Sequence, residues 1–298
     1  VGGPQVAAAH AAALLAALAL KAGIATAPPA EDGCVFLSSG DTVTARSPEP
    51  VDWYLLRPVP GHFGNMIPGA PPMNLGVDTL AYSLLLLTAD TTEVAVSPPP
   101  GTLYLCAGPP AAGDTLYAAE PPHLLMPERT AQVATRAGDG YLGHLTEMLG
   151  TPFLMAPRRT PQGHQQADCR MGCDCAGLAV YGRRRLGEEV EYLGPAGIER
   201  YLEPVCSGPL LPDGGSPALL GERGGGPLAV GPDGIMPGDL LHFGVQVAVF
   251  AEDRGVPGLL DEEDLLLQSW FDGTGYWSLG ECGFWGRPVR ALRWREGL

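Results

Sequence analysis

The chain has 298 residues, 45% of them hydrophobic, which is enough for two ordinary domains with a core each and too apolar for a disordered polymer. Its formal net charge is −15, and both halves share the acidic excess. That leaves no positive surface to neutralise phosphates and argues against nucleic acid as a partner.

Residues 6 to 20 (VAAAHAAALLAALAL) are continuously apolar, and Ala25-Thr26-Ala27 just beyond has the small-x-small form of a signal-peptidase site. Two readings stand: a secretory leader, which would place the protein outside the cytoplasm, or an Ala/Leu-rich helix packed on the protein. The run is shorter than the roughly 20 residues a bilayer span needs. After the break at Ala27-Pro28-Pro29-Ala30, short β-prone runs are separated by Pro and Gly. They are Cys34 to Ser38, Val51 to Leu56, Leu80 to Leu87, Thr92 to Val96 and Thr102 to Cys106. They predict a β-rich domain over residues 31–127, a possible surface for a protein partner, preceded by a segment 1–30. His62 and His123, each beside Pro or Gly, read as loop or core residues.

From Thr130 to Leu149 the pattern turns helical, with Tyr141, Leu142, Leu145, Met148 and Leu149 on a stripe that Gly150 and Pro152 end. A second helix is predicted over Asp174 to Leu186, capped by Asp174 and closed by Gly187. Gly/Pro-rich connections from Gly208 to Gly234 suggest one long surface excursion. Asp239 to Ala251 then reads as two strands joined at Gly244-Val245, and Leu265 to Trp270 as another. Helices followed by strands predict an α+β domain over residues 128–298.

Seven cysteines fit three disulfides plus a free thiol, or seven reduced thiols. Cys169, Cys173 and Cys175 are clustered as C-x3-C-x-C. That spacing lacks the second half of a zinc ribbon or finger, so no metal is expected, and no cofactor either. Cys175 has the placement of a nucleophile. It follows a capping Asp at the first turn of a helix, where free amides and the helix dipole favour a thiolate and could hold an oxyanion. A structural Cys, or a disulfide partner of Cys169, Cys173 or Cys206, fits the position equally.

Four segments in order carry a resemblance. Asp174-Cys175-Ala176-Gly177-Leu178 resembles the Asp-Cys-Ser/Ala-Gly-Leu signature of NlpC-type papain-like cysteine peptidases. Upstream, Leu149-Gly150-Thr151-Pro152-Phe153 is similar to that family's Leu-Gly-x-Pro-Tyr. Downstream, Met236-Pro237-Gly238-Asp239-Leu240-Leu241-His242-Phe243 is similar to its Pro-Gly-Asp-Leu-x-x-Phe strand, and Gln246-Val247-Ala248-Val249-Phe250 to its His-Val-Gly-Ile-Tyr strand. The similarity spans Thr130 to Arg293, with a longer insertion between Leu186 and Met236.

The resemblance implies a nucleophile helix packed on an antiparallel sheet that carries a base His and a third polar residue. It also implies hydrolysis of an amide through an acyl-enzyme, with peptidoglycan stem peptides as substrate. Here the base position falls on Gln246 and the third position on Gln268, and Phe153 replaces a Tyr. Glutamine does not take up and return a proton near neutral pH, so a Cys175–Gln246 pair lacks a general base. Three readings follow: a silent domain that binds peptides or a protein, an engineered inactive variant, or an active enzyme with its base elsewhere. His242 is the nearest substitute. A two-residue turn at Gly244-Val245, the favoured reading, pairs it with Val247 and puts it on the face opposite Gln246, the face predicted to turn away from the thiol; a strand that runs on without a turn puts 242 and 246 on one face. His164 lies in a polar loop.

The cluster Asp261-Glu262-Glu263-Asp264 lacks calcium-loop spacing and reads as a solvated turn. Arg183-Arg184-Arg185 reads as a favourable placement at a helix C-terminus. Trp270, Tyr276, Trp277, Phe284 and Trp285 could line a cleft or fill a core.

Overall fold

In a computed structural model, residues 24–27, 33–60, 80–118, 120–157, 159, 163–209, 228–284 and 287–297 are described. The apolar run 6–20, His62, Trp285 and most of the excursion 208–234 lie outside them. The fold is mixed α+β, with two sheets and few helices. The described residues divide into two compact units, one built from residues 24–58 and 80–135, the other from residues 59–60 and from 136 onward. Among the described residues no helix is long and apolar enough to cross a membrane, and none of the seven cysteines is in a disulfide.

The first unit is one sheet of seven strands: β1 (Ala25–Ala27), β2 (Cys34–Ser38), β3 (Val43–Pro58), β4 (Leu80–Val96), β5 (Gly101–Ala107), β6 (Thr115–Ala118) and β7 (Thr130–Arg136). The order is β2-β7-β5-β3-β4-β6, with β1 added on β3. Alternation builds its core: Trp53 and Leu55, Leu103 and Leu105, and Val133 point to one face and are buried there. Tyr82, Tyr104 and Gln132 are buried on the other, where Gln132 Nε2 donates to the Tyr104 hydroxyl at 3.0 Å. The two runs predicted at 80–87 and 92–96 are one strand. In β3, Pro48 and Pro50 have no N–H to give, and the ladder to β4 slips between Arg46 and Val51.

The predicted helix from Thr130 is corrected here. Thr130 to Arg136 is strand β7, paired antiparallel with β5 from Gly101↔Thr135 to Cys106↔Thr130. With β2 on its other side, Gln132 and Val133 are buried on opposite faces, an environment that rewards the period-2 residues of TAQVATR whatever helical stripe follows. The first unit therefore runs to Thr135, eight residues beyond the expected boundary at 127.

The second unit holds the predicted stripe, now as helix α2 (Tyr141–Leu145) and a 3₁₀ turn (Thr146–Met148), after α1 (Pro122–Leu125) of the first unit. Helix α3 (Cys175–Arg185) follows as predicted, then α4 (Pro195–Ile198) and a 3₁₀ turn (Glu199–Tyr201). Its sheet comprises β8 (Leu202–Pro209), β9 (Leu240–His242), β10 (Val247–Glu252), β11 (Leu265–Trp270), β12 (Gly273–Ser278) and β13 (Pro288–Trp294). The order is β12-β11-β10-β9-β13-β8, and every neighbouring pair is antiparallel.

Helix α3 packs on the face carrying Leu240, Val247, Val249, Leu267 and Leu292. Leu241, Ala248, Phe250 and Leu266 face the other way, against Leu279, Cys282 and Phe284. At Gly182, an added Cβ would meet Leu145 Cδ2 at 2.5 Å and Tyr141 Cε2 at 2.7 Å, so α2 approaches α3 over a residue without a side chain.

Candidate functional site

Helix α3 begins where the sequence predicts. Asp174 is extended, its Oδ1 accepts from the Gly177 amide at 2.6 Å, and its Oδ2 accepts from the Ala156 amide at 3.1 Å. Leu186 caps the C-terminus and Gly187 follows at φ +90°. Cys175 is the first helical residue and is only 4% exposed.

Burial pushes the Cys175 thiol up to about 12, the neighbouring Asp174 carboxylate adds to this, and the amides of Val247, Ala176 and Cys175 itself only partly offset it. This reverses the expected depression by the helix N-terminus. The partial positive charge of the first turn is worth about 1 kcal/mol, less than the cost of an anion taken out of water. Asp174 is itself pushed up to about 6 by burial. Cys173, two residues away, is fully buried and its thiol is raised further.

Gln246 and Gln268 are brought together, but not with Cys175. Gln246 Nε2 donates to Gln268 Oε1 at 3.2 Å and to the Ser269 carbonyl at 3.3 Å, and Gln268 Nε2 donates to the Cys282 carbonyl at 3.3 Å. Both side chains are buried. By strand alternation they share the face of Ala248, Phe250 and Leu266, which meets Cys282 and Phe284. Ser269, on the opposite face, instead donates its hydroxyl to the Cys173 carbonyl at 2.7 Å. The expectation that the Gln246 face is turned to the nucleophile helix is therefore corrected: Val247 and Val249 occupy that place.

His242 pairs with Val247, and the Phe243 amide donates to the Gln246 carbonyl at 2.8 Å, so the predicted hairpin register holds. Gly244 has φ +86°, as a hairpin turn with glycine first requires. His242 is thus on the α3 face rather than the face away from it. Its nitrogens are committed, however. Nδ1 accepts from the Gly244 amide at 3.1 Å, and the tautomer this assigns leaves Nε2–H to donate to the Pro195 carbonyl at 3.1 Å, with Glu199 Oε1 at 3.3 Å. Among the described residues no histidine is hydrogen-bonded to Cys175. His164 is in an exposed loop position.

Phe153 is buried edge-on to Trp270 and Phe271, with centroids 5.6 and 5.5 Å away. Trp270 and Phe284 are 5.2 Å apart and pack in the core beneath the sheet, whereas Tyr276 is 44% exposed.

A buried ionic cluster, which no sequence pattern announces, lies toward the far end of α3. Glu147 is inaccessible; it accepts from Arg185 Nε and Nη2 at 2.9 and 3.1 Å and from the Tyr181 hydroxyl, and His144 Nδ1 lies 3.2 Å from it. Despite burial, Arg185 and Tyr181 hold the Glu147 carboxyl below its ordinary value. Arg185, read from sequence as a favourable charge at the helix C-terminus, is also the counter-ion of this buried carboxylate. The hydrogen bonds of the His144–Glu147 pair go to Arg185 and Tyr181, and neither residue is hydrogen-bonded to Cys175 among the described residues.

The acidic loop also differs from expectation. Asp261 and Asp264 are buried, and their carboxylates accept amides from Val256, Glu263, Arg254 and Asp261 at 2.7–2.8 Å, which fixes the β10–β11 connection. Among the described residues no cluster of His, Cys, Asp or Glu is arranged to hold a metal ion.

Comparison with protein-family models, curated proteins and solved structures returned no match.

Proposed function

We propose that the second unit is a papain-like, NlpC-type domain that binds a peptide or protein partner without cleaving it. Its framework supports the family reading, with a capped helix that begins at Cys175 lying on an antiparallel sheet, preceded by Leu149-Gly150-Thr151-Pro152 and followed by the β9–β10 hairpin. The observation that carries the silent reading is the state of Cys175. Its thiol is raised to about 12, and the residues at the two remaining positions of the family triad are glutamines bonded to each other on the opposite face of the sheet. Nucleophilic catalysis needs a base within hydrogen-bond reach of the sulfur and a group that orients that base.

Peptidoglycan stem peptides are the ligand class that the resemblance suggests, and a secreted or periplasmic setting goes with it. Incubation of the full chain with stem peptides, followed by mass spectrometry and by calorimetric titration, tests the proposal. Saturable binding with no new cleavage product from pH 5 to pH 9 is expected. Cleavage that disappears in Cys175→Ala would replace this reading with an active cysteine hydrolase.

A further inference from the structure

At the C-terminal end of α3, about 12 Å of helix from Cys175, the second unit has an open recess of about 390 Å³. Its walls are residues 140–143 at the start of α2, Arg183, the turn from Met236 to Asp239, and Arg293 with Trp294. That volume lies at the lower end of the range for small-molecule sites, and the walls combine apolar surface with a few fixed polar groups, as such sites do.

Two guanidinium groups reach this recess with donors to spare. Arg183 Nε donates to Glu188 at 2.5 Å, while its terminal nitrogens make no hydrogen bond among the described residues. The guanidinium carbon lies 5.9 Å from the centroid of Tyr141 and 5.5 Å from that of Trp294, so the stack holds the fork in place before any ligand arrives. Arg293 gives Nε and Nη2 to Asp239 at 2.8 and 2.6 Å, and Nη2 also to the Gly234 carbonyl at 2.8 Å, which leaves Nη1 uncommitted. The side chains are 17% and 30% exposed, so solvent reaches both.

We propose that this recess binds the carboxylate of a small organic acid or of a peptide C-terminus. A planar fork of N–H donors matches a carboxylate in two-point contact. Leu142, Met236 and Pro237 then offer apolar surface to the body of the ligand. Charge selects a monoanion. Glu188 and Asp239 already balance the two arginines, so a phosphate dianion would bring a second negative charge against two fixed carboxylates, on a chain of net charge −15. The inference does not depend on what happens at Cys175.

The test is calorimetric titration of the full chain with N-acetyl-alanine, N-acetyl-trialanine, the C-terminal amide of that tripeptide, and inorganic phosphate. Arg183→Gln removes the fork. Because it also strips Glu188 of its partner, Gly140→Phe provides a second variant that obstructs the recess without touching a charge. Gly140 has φ −85°, open to any residue, and a Cβ there meets nothing within 4 Å. Saturable binding of the acids is expected, with the amide and phosphate weaker by about tenfold or more and each folded variant weaker by a similar factor. If the tripeptide acid binds more tightly than N-acetyl-alanine, the ligand is a peptide end; equal binding assigns small acids. Equal binding of acid and amide, tighter binding of phosphate, unchanged binding in a folded Gly140→Phe protein, or no saturation by about 10 mM acid would overturn the proposal.

Discussion

Gln246 lies in a place that no base could use. It is fully buried, its amide nitrogen is given to Gln268 and to the Ser269 carbonyl, and its own carbonyl oxygen finds no donor among the described residues. A Gln246→His substitution, which the resemblance of the Gln246–Phe250 segment suggests would create a base, is therefore expected to give no hydrolysis of stem peptides. Instead it should lower stability by about 1–3 kcal/mol, because the Gln268 and Ser269 carbonyls lose donors in a dry site. Product analysis together with urea unfolding checks this; cleavage by a folded Gln246→His protein would show that the imidazole reaches the α3 side of the sheet. Cys175 itself can be examined by alkylation. With a thiol pKa of about 12, roughly one molecule in 10⁵ carries the thiolate at pH 7, so iodoacetamide should label Cys175 far more slowly than a free cysteine in the folded protein. In denaturant all seven should label alike. Peptide mapping that finds Cys175 modified first in the native state would contradict the burial on which the silent reading rests.

Helix α3 and the β9–β10 hairpin show which elements local chemistry specifies. Asp174 as cap, three arginines in the last turn and Gly187 beyond mark α3 completely in sequence, and Gly244-Val245 sets the hairpin register to the residue. Alternation alone says that His242 and Gln246 oppose each other, but not which face receives the helix. Both faces are apolar, so only the assembled packing decides it: α3 covers Val247, Val249 and Leu267, while Ala248, Phe250 and Leu266 meet Leu279, Cys282 and Phe284. The connection from β10 to β11 was equally opaque. Its acidic run looks solvated, yet the structure uses the carboxylates as internal acceptors. This has a consequence for pH. Burial, with Asp261 and Asp253 nearby, pushes Asp264 up to about 7 from 3.8, and Asp174 is raised to about 6. A carboxyl whose folded pKa is raised contributes stability that is fully present below the unfolded value and is lost as pH climbs through the folded one. Glu147, held low, acts in the opposite sense and loses its contribution as pH falls below the ordinary carboxylate range. The protein should therefore melt at a higher temperature near pH 5 than near pH 8. Asp264→Asn, which gives up one amide acceptor at every pH, should be less stable throughout but show a flatter slope between pH 6 and pH 8. A wild-type melting temperature that rises from pH 6 to pH 8 would be incompatible with these carboxyls being desolvated.

The two units together show where composition guides a reading and where it misleads. The β-rich first half and the α+β second half were legible from turn spacing and capping signals. Strands β8, β12 and β13 were not, because Gly- and Pro-rich flanks hide short runs that only pairing across the sheet stabilises. The division point was misplaced for a related reason: TAQVATR sits directly before a helical stripe and carries no turn signal of its own. Its pairing decides the matter. Strand β7 lies between β2 and β5, so it joins β2 to the rest of the first sheet, and Val133 completes the core of Leu103, Leu105 and Val35. A fragment that ends at residue 127 would leave β2 with no neighbour, expose the edge of β5 from Thr102 to Cys106, and open the core where Val133 belongs. A fragment that ends at residue 136 keeps all three. Expressed side by side from the same starting residue, the longer fragment should give the sharper thermal transition and the weaker binding of an apolar dye, and the shorter should bind dye strongly or aggregate. Equal cooperativity of the two would mean that β7 is not part of the folding unit to which its hydrogen bonds assign it.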